Sequence, residues 1–181
     1  VKVPAGYLDN RMLRQKFNLF LSTTYGTTEL VDNYSNNQIF LNKEKIKEMK
    51  LDIIDLRQAI VEEILSYDSV YKAYSANTFN NTAFNFGIEL MLQNGFNQKR
   101  SGDILVVNDP ANISYSRTGS THGSGFNYDS HVPLLFFGKG IKKGQTLERT
   151  RIVDIAPTIS ALLGISFPNA ATGKPLGFVL D

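Results

Sequence analysis

Cysteine is absent. That excludes disulfides, thiolate metal ligands and a cysteine nucleophile, and it leaves the compartment open. Histidine is scarce, with His122 and His131 the two in the chain. No apolar run approaches the ~20 residues of a membrane-spanning helix; the longest, such as residues 132–137, are strand-sized. Charge of one sign is lacking too: 19 basic residues stand against 17 acidic, for a formal net charge of +2. This balance argues against nucleic acid as a specific partner. The densest cationic stretch, residues 43–50, is interleaved with Glu44 and Glu48 and reads as a solvated helix face. The chain opens on Val1 with no leader segment, so the native N-terminus is expected to lie elsewhere. What is present, 42% hydrophobic and 20% charged residues over 181 positions, suits one globular domain or part of one.

Local patterns place the elements. Pro4 predicts an extended opening segment, because it keeps its predecessor out of the helical region. Asp9 or Asn10 is expected to cap a helix through Met12, Leu13, Phe17, Phe20 and Leu21, with Gly26 ending it. Two short strand-like runs, residues 31–34 and 38–41, flank Ser35-Asn36-Asn37 and predict a hairpin. Asn42 caps a small charged helix, and Asp52 opens a longer one with Ile53, Leu56, Ile60 and Ile64 on one face. A strand over residues 70–74 and a helix from about Thr82 to Gln93 follow, the helix stopping at Asn94-Gly95.

Residues 104–107 and 132–137 read as buried neighbouring strands. Asp154 is expected to cap the last helix, with Pro157 in its first turn and Gly164 closing it. Alternation of strands and helices predicts an α/β layered fold, a sheet with flanking helices. Residues 27–75 are expected to form a peripheral hairpin-and-helix region, and residues 82–181 to carry the core motifs.

Chemistry concentrates in residues 120–133. His122, followed by Gly123, can offer an imidazole nitrogen to a divalent metal, although two histidines nine positions apart match no standard ligand spacing. Thr121 and Ser124 beside it read as turn-stabilising hydroxyls rather than nucleophiles. Gly138-Lys139-Gly140 lacks the full phosphate-loop pattern and reads as a strand-exit turn. Asp103 and Asp109 read as turn carboxylates bordering a strand. Spacing alone yields no paired-carboxylate arrangement.

Thr121-His122-Gly123-Ser124, then Tyr128-Asp129-Ser130-His131-Val132-Pro133-Leu134, then Phe137-Gly138-Lys139-Gly140-Ile141 closely resemble the C-terminal signature of the alkaline phosphatase superfamily. The nearest branch in this resemblance is that of the bacterial alkaline phosphatases related to type I phosphodiesterases/nucleotide pyrophosphatases. Asn94-Gly95-Phe96 with Lys99-Arg100-Ser101-Gly102-Asp103-Ile104 is similar to the family's lead into a core strand. Asp154-Ile155-Ala156-Pro157-Thr158 with Leu162-Leu163-Gly164-Ile165 resembles its closing helix, and Gly173-Lys174-Pro175-Leu176 its terminal turn. The motifs run in family order, and Val3-Pro4 resembles the chain just after the family's Asp-His-Gly element, so the resemblance covers nearly the whole chain.

The resemblance implies the C-terminal part of one alkaline phosphatase-like domain, spanning residues 1–181. It also implies a parent enzyme with two zinc ions and a threonine or serine nucleophile, reacting with phosphate-ester or nucleotide substrates through a phosphorylated enzyme. His122 matches a zinc ligand of the family. His131 matches a family histidine not identified as a ligand. The nucleophile and the remaining ligands of the family pattern have no counterpart here, so no catalytic residue is assigned and the chain alone is expected to be inactive. Export to the periplasm and self-association through newly exposed apolar surface are further expectations. The competing reading is a non-catalytic binding or interaction module that keeps the fold.

Overall fold

The computed structural model describes residues 5–114 and 122–180. Residues 1–4, with the Pro4 and Val3 readings, and Thr121 lie outside the described residues. The chain divides into two compact units, Val1–His131 and Val132–Asp181.

In the first unit, strand β1 (Gly6–Leu8) leads directly into helix α1 (Asn10–Tyr25). Asp9 is its cap, accepting hydrogen bonds from the backbone N–H groups of Arg11 and Met12, and Gly26 ends the helix in the left-handed region at φ 73°. The predicted hairpin is β2 (Val31–Ser35) and β3 (Gln38–Leu41). Asn36 and Asn37 both take positive φ, 50° and 57°, the requirement of a two-residue turn whose twist matches its strands. Asn37→Val is expected to cost roughly 1–2 kcal/mol for forcing a branched side chain into that region. Asn37→Gly is expected to stay within about 0.5 kcal/mol of the parent. Urea-unfolding midpoints of the two variants check this.

Helix α2 (Lys43–Glu48) is capped by Asn42, and α3 (Ile53–Leu65) by Asp52, whose carboxylate accepts from Ile54 N at 2.7 Å and Asp55 N at 3.1 Å. Strand β4 (Val70–Ser75) runs into a short helix α4 (Ala76–Asn81). The helix expected from about Thr82 to Gln93 begins only at Gly87, as α5 (Gly87–Gly95); residues 82–86 are not helical, and α4 before them was not expected. The chain between them is extended: Thr82 leaves α4 at φ −131°, and Gly87 enters α5 at φ 76°, a break that only glycine makes at no steric cost. Gln93 secures this stretch, receiving Phe84 N–H on Oε1 and donating from Nε2 to the carbonyls of Phe79 and Thr82.

Strand β5 (Ile104–Asn108) completes a four-stranded antiparallel sheet in the order β2-β3-β5-β4. Residues 27–75 thus supply three of its four strands. One face packs on α1 and α3: Phe17, Leu21, Leu30, Ile39, Leu41, Leu56, Ile60, Ile64 and Ile104 form one buried cluster. Burying each such side chain stabilises the fold by roughly 2 kcal/mol. Separately, β6 (Asn112–Ser114) pairs in parallel with β1, Gly6 opposite Asn112 and Leu8 opposite Ser114. A single helical turn, α6 (Asn127–Ser130), closes the unit.

In the second unit, α7 (Ile155–Leu163) ends at Gly164 in the left-handed region, as its sequence predicts. The cap differs from expectation. The Asp154 carboxylate makes no bond to α7; it accepts instead from Arg151 N at 2.8 Å and Lys174 N at 2.9 Å, and those two donors hold its carboxyl below the usual range. Thr158 donates its hydroxyl to Asp154 O at 2.6 Å and accepts from Leu176 N at 2.9 Å. The closing-helix and terminal-turn motifs are thus two halves of one joint. Gly173 sits where a Cβ would lie 2.0 Å from Val153 O, so no other residue fits there.

The second correction concerns residues 132–137, expected as a central strand beside β5. They form no strand, and β5 takes its partners from β3 and β4. Leu135 is 87% exposed and Phe137 fully so. An all-apolar run becomes a central strand only with ladder partners on both sides and cover on both faces, and the described residues supply neither to this segment. The following Gly138-Lys139-Gly140 is a turn, with Gly138 at φ 146° and Gly140 at φ 79°.

Candidate functional site

The segment from His122 to His131 lies within the first unit and is built from the inside out. Gly125 rests on α5 so closely that an added Cβ would come within 2.7 Å of Ile88. The Phe126 ring stacks on Tyr128 at 5.8 Å and meets Tyr71 of β4 at 6.1 Å. The Tyr128 hydroxyl accepts the Ala111 N–H at 3.0 Å, tying α6 to the chain just before β6. His131 N–H donates to Asn127 O at 2.9 Å and closes the turn.

From that platform Asp129 reaches back. Its Oδ2 accepts the Ser124 hydroxyl at 2.7 Å and the Ser124 N–H at 2.9 Å. The Ser124 hydroxyl first, then the N–H groups of Ser124 and Gly123, hold the Asp129 carboxyl below its ordinary range. Ser124 is therefore a turn-stabilising hydroxyl. Gly123 takes φ 124°, a backbone state that excludes ordinary side chains although the space around it is open. His122 is exposed at the end of this arrangement, and His131 is exposed as well.

An exposed imidazole on a glycine-flanked turn fits the role of one metal ligand. It does not make a site by itself, because zinc takes three or four protein ligands. Among the described residues no three His, Asp or Glu side chains come together. Two other carboxylates are committed to structure. Asp103, 7% exposed, receives Leu41 N–H at 2.9 Å and Arg57 Nε at 3.0 Å, and pairs with Lys43. Glu89 pairs with Lys72 and accepts the Tyr74 hydroxyl at 2.7 Å; Lys72 first and Tyr74 second bring its pKa down to about 2. Sequence reasoning read Asp103 as a turn carboxylate and gave Asp129 no role of its own. The partners of Asp103 are 46, 60 and 62 residues away, with no local signal, whereas the Ser124–Asp129 spacing of five is a signal that a turn-by-turn reading can use.

A strand-and-helix chain that offers one histidine from such a loop matches the alkaline phosphatases in both sequence and backbone, and it is related to the alkaline phosphatase superfamily. Its fold is α/β and corresponds to the C-terminal part of theirs. One structural neighbour is wild-type alkaline phosphatase PafA, with a TM-score of 0.88 and 34% identity over 98% of this chain and 34% of that one. In sequence, alkaline phosphatase PafA of Elizabethkingia meningoseptica is 34% identical over 180 residues, 99% of this chain and 33% of that protein. Alkaline phosphatase PhoV of Synechococcus elongatus is 34% identical over 139 residues, covering 77% of this chain and 25% of its own. A protein of Myroides odoratus named calcium-transporting ATPase is 34% identical over 174 residues, 95% of this chain and 32% of that protein. No protein-family model matches the chain. It spans a third or less of the length of these curated relatives.

Proposed function

We propose that this chain is the C-terminal portion of a zinc-dependent phosphate-ester hydrolase, contributing His122 as one metal ligand and inactive by itself. The observation that carries the reading is the end-to-end likeness to alkaline phosphatases, 34% identical over 99% of the chain. The display of His122 at the tip of a turn tied to a rigid platform supports it. Within the first unit, the chain's own task is to orient that imidazole: α6 and its aromatic stack fix Asp129, and Asp129 fixes the turn. What the metal supplies when bound is Lewis-acid stabilisation of charge on the phosphoryl and leaving oxygens. Both phosphomonoesters and phosphodiesters, nucleotides included, belong to this proposal, since the residues that choose between them are not among those assigned here. Export to the periplasm goes with it as the habit of such enzymes. No helix among the described residues is long and apolar enough to cross a membrane. Self-association of the isolated chain is part of the same reading, supported by the exposure of Leu135, Phe137, Leu147 and Leu163 in the second unit.

The test is hydrolysis of nitrophenyl phosphate and bis-nitrophenyl phosphate by the full-length protein, with and without a chelator. Turnover that a chelator abolishes and zinc restores is expected, with none from the 181-residue chain alone. A full-length protein that is folded, zinc-replete and inert on both esters would favour a binding module that keeps the fold, and would end the hydrolase reading.

A further inference from the structure

Resting on that reading, we propose that Asp129 is the positioning residue of the metal-ligand turn: its carboxylate clamps His122-Gly123-Ser124 so that the imidazole meets the metal already oriented. Two hydrogen bonds converge on it, from the Ser124 hydroxyl at 2.7 Å and the Ser124 N–H at 2.9 Å, and the Gly123 N–H adds its attraction. The clamp matters because of what it restrains. Gly123 at φ 124° has open space around it and would otherwise sample a wide range of backbone states, swinging His122 with it. The opposite end of the lever is fixed independently. Gly125 is pressed on Ile88, Phe126 lies between Tyr71 and Tyr128, and Tyr128 takes the Ala111 N–H at 3.0 Å. Asp129 is the link through which this platform reaches the ligand. Partners that orient a metal-bound histidine without touching the metal typically carry roughly 10–100-fold in metal affinity.

The experiment measures zinc affinity of the full-length protein by chelator competition, alongside unfolding temperature and turnover at limiting and saturating zinc. Asp129→Ala is expected to weaken zinc binding roughly 10–100-fold, with turnover recovering as zinc is raised. Asp129→Asn keeps one acceptor oxygen and is expected to fall between it and the parent. Ser124→Ala, which removes one of the two hydrogen bonds, is expected to lose less than Asp129→Ala, and it keeps the question open to measurement if Asp129→Ala does not fold. A merely structural Asp129 would lower the unfolding temperature and leave zinc affinity untouched. Unchanged affinity in Asp129→Asn and Ser124→Ala, with affinity lost in His122→Ala, overturns the positioning role alone. Unchanged affinity in His122→Ala overturns the ligand reading and the positioning role with it.

Discussion

Replacing His122 with alanine in the full-length protein is expected to cut phosphate-ester turnover by more than about 100-fold, the upper end of what losing only a ligand's supporting partner costs. Zinc content is expected to fall with it. Removing the imidazole takes away a bond to the metal itself, whereas removing Asp129 only loosens its aim. His131→Ala serves as the internal control. His131 is also exposed, nine residues on, and its replacement is expected to leave both readings near the parent values. Metal analysis of purified variants, with turnover of nitrophenyl phosphate, checks the contrast. Retained zinc and turnover in His122→Ala would remove the assignment.

The second large effect is on stability. Asp103→Ala is expected to destabilise the fold by about 3 kcal/mol, the lower end for breaking a buried pair, because it strips a partly buried cation of its carboxylate. The Arg57 side chain is 16% exposed and donates to Asp103, and the Leu41 N–H would lose its acceptor as well. Lys43, about half exposed, adds little of this. The same carboxylate gives a pH dependence. Burial pushes the Asp103 carboxyl up, but Lys43, the Leu41 N–H and Arg57 together outweigh it and hold the group below its usual range. A carboxylate so held stabilises the fold above its unfolded value, about 3.9 for Asp. That stabilisation is lost as pH falls through the folded value. Glu89, brought down to about 2, acts with the same sign. Urea-unfolding midpoints are therefore expected to drop between about pH 4 and about pH 2. Asp103→Ala is expected to start lower and fall less steeply.

How much of this was legible beforehand depends on the range of the interaction. Caps and turns act within four residues. Asp9, Asn42, Asp52, the Asn36-Asn37 turn, Gly26 and Gly164 were therefore all readable from their neighbours. Asp154 shows the limit: its position at a helix start suggested a cap, yet Lys174 N–H, twenty residues on, competes for the same carboxylate. The hydrophobic run at 132–137 reads as a buried central strand and is neither a strand nor buried, since composition cannot say which strands lie alongside. At the candidate site, motif resemblance alone singles out His122 as the proposed ligand. The mechanical support from Ile88, Tyr71 and Ala111 comes from three separate elements, and only the fold brings them together.

The parallel pairing of β1 with β6 has a consequence for how such a chain can be remodelled. Leu8 and Ser114 are register partners, so the chain departs and returns at points about 5 Å apart. Everything between, including the four-stranded sheet and its core, is an excursion whose two ends already meet. Lengthening such an excursion twofold adds only about 0.6 kcal/mol of closure entropy, so its size and shape are nearly unconstrained by the strands that bear it. It is a cassette, and among the described residues its fittings toward the histidine turn include Tyr71 against Phe126, Ile88 and Met91 beneath Gly125, and the Ala111 N–H on Tyr128. A replacement cassette is expected to need those contacts if the turn is to keep its place.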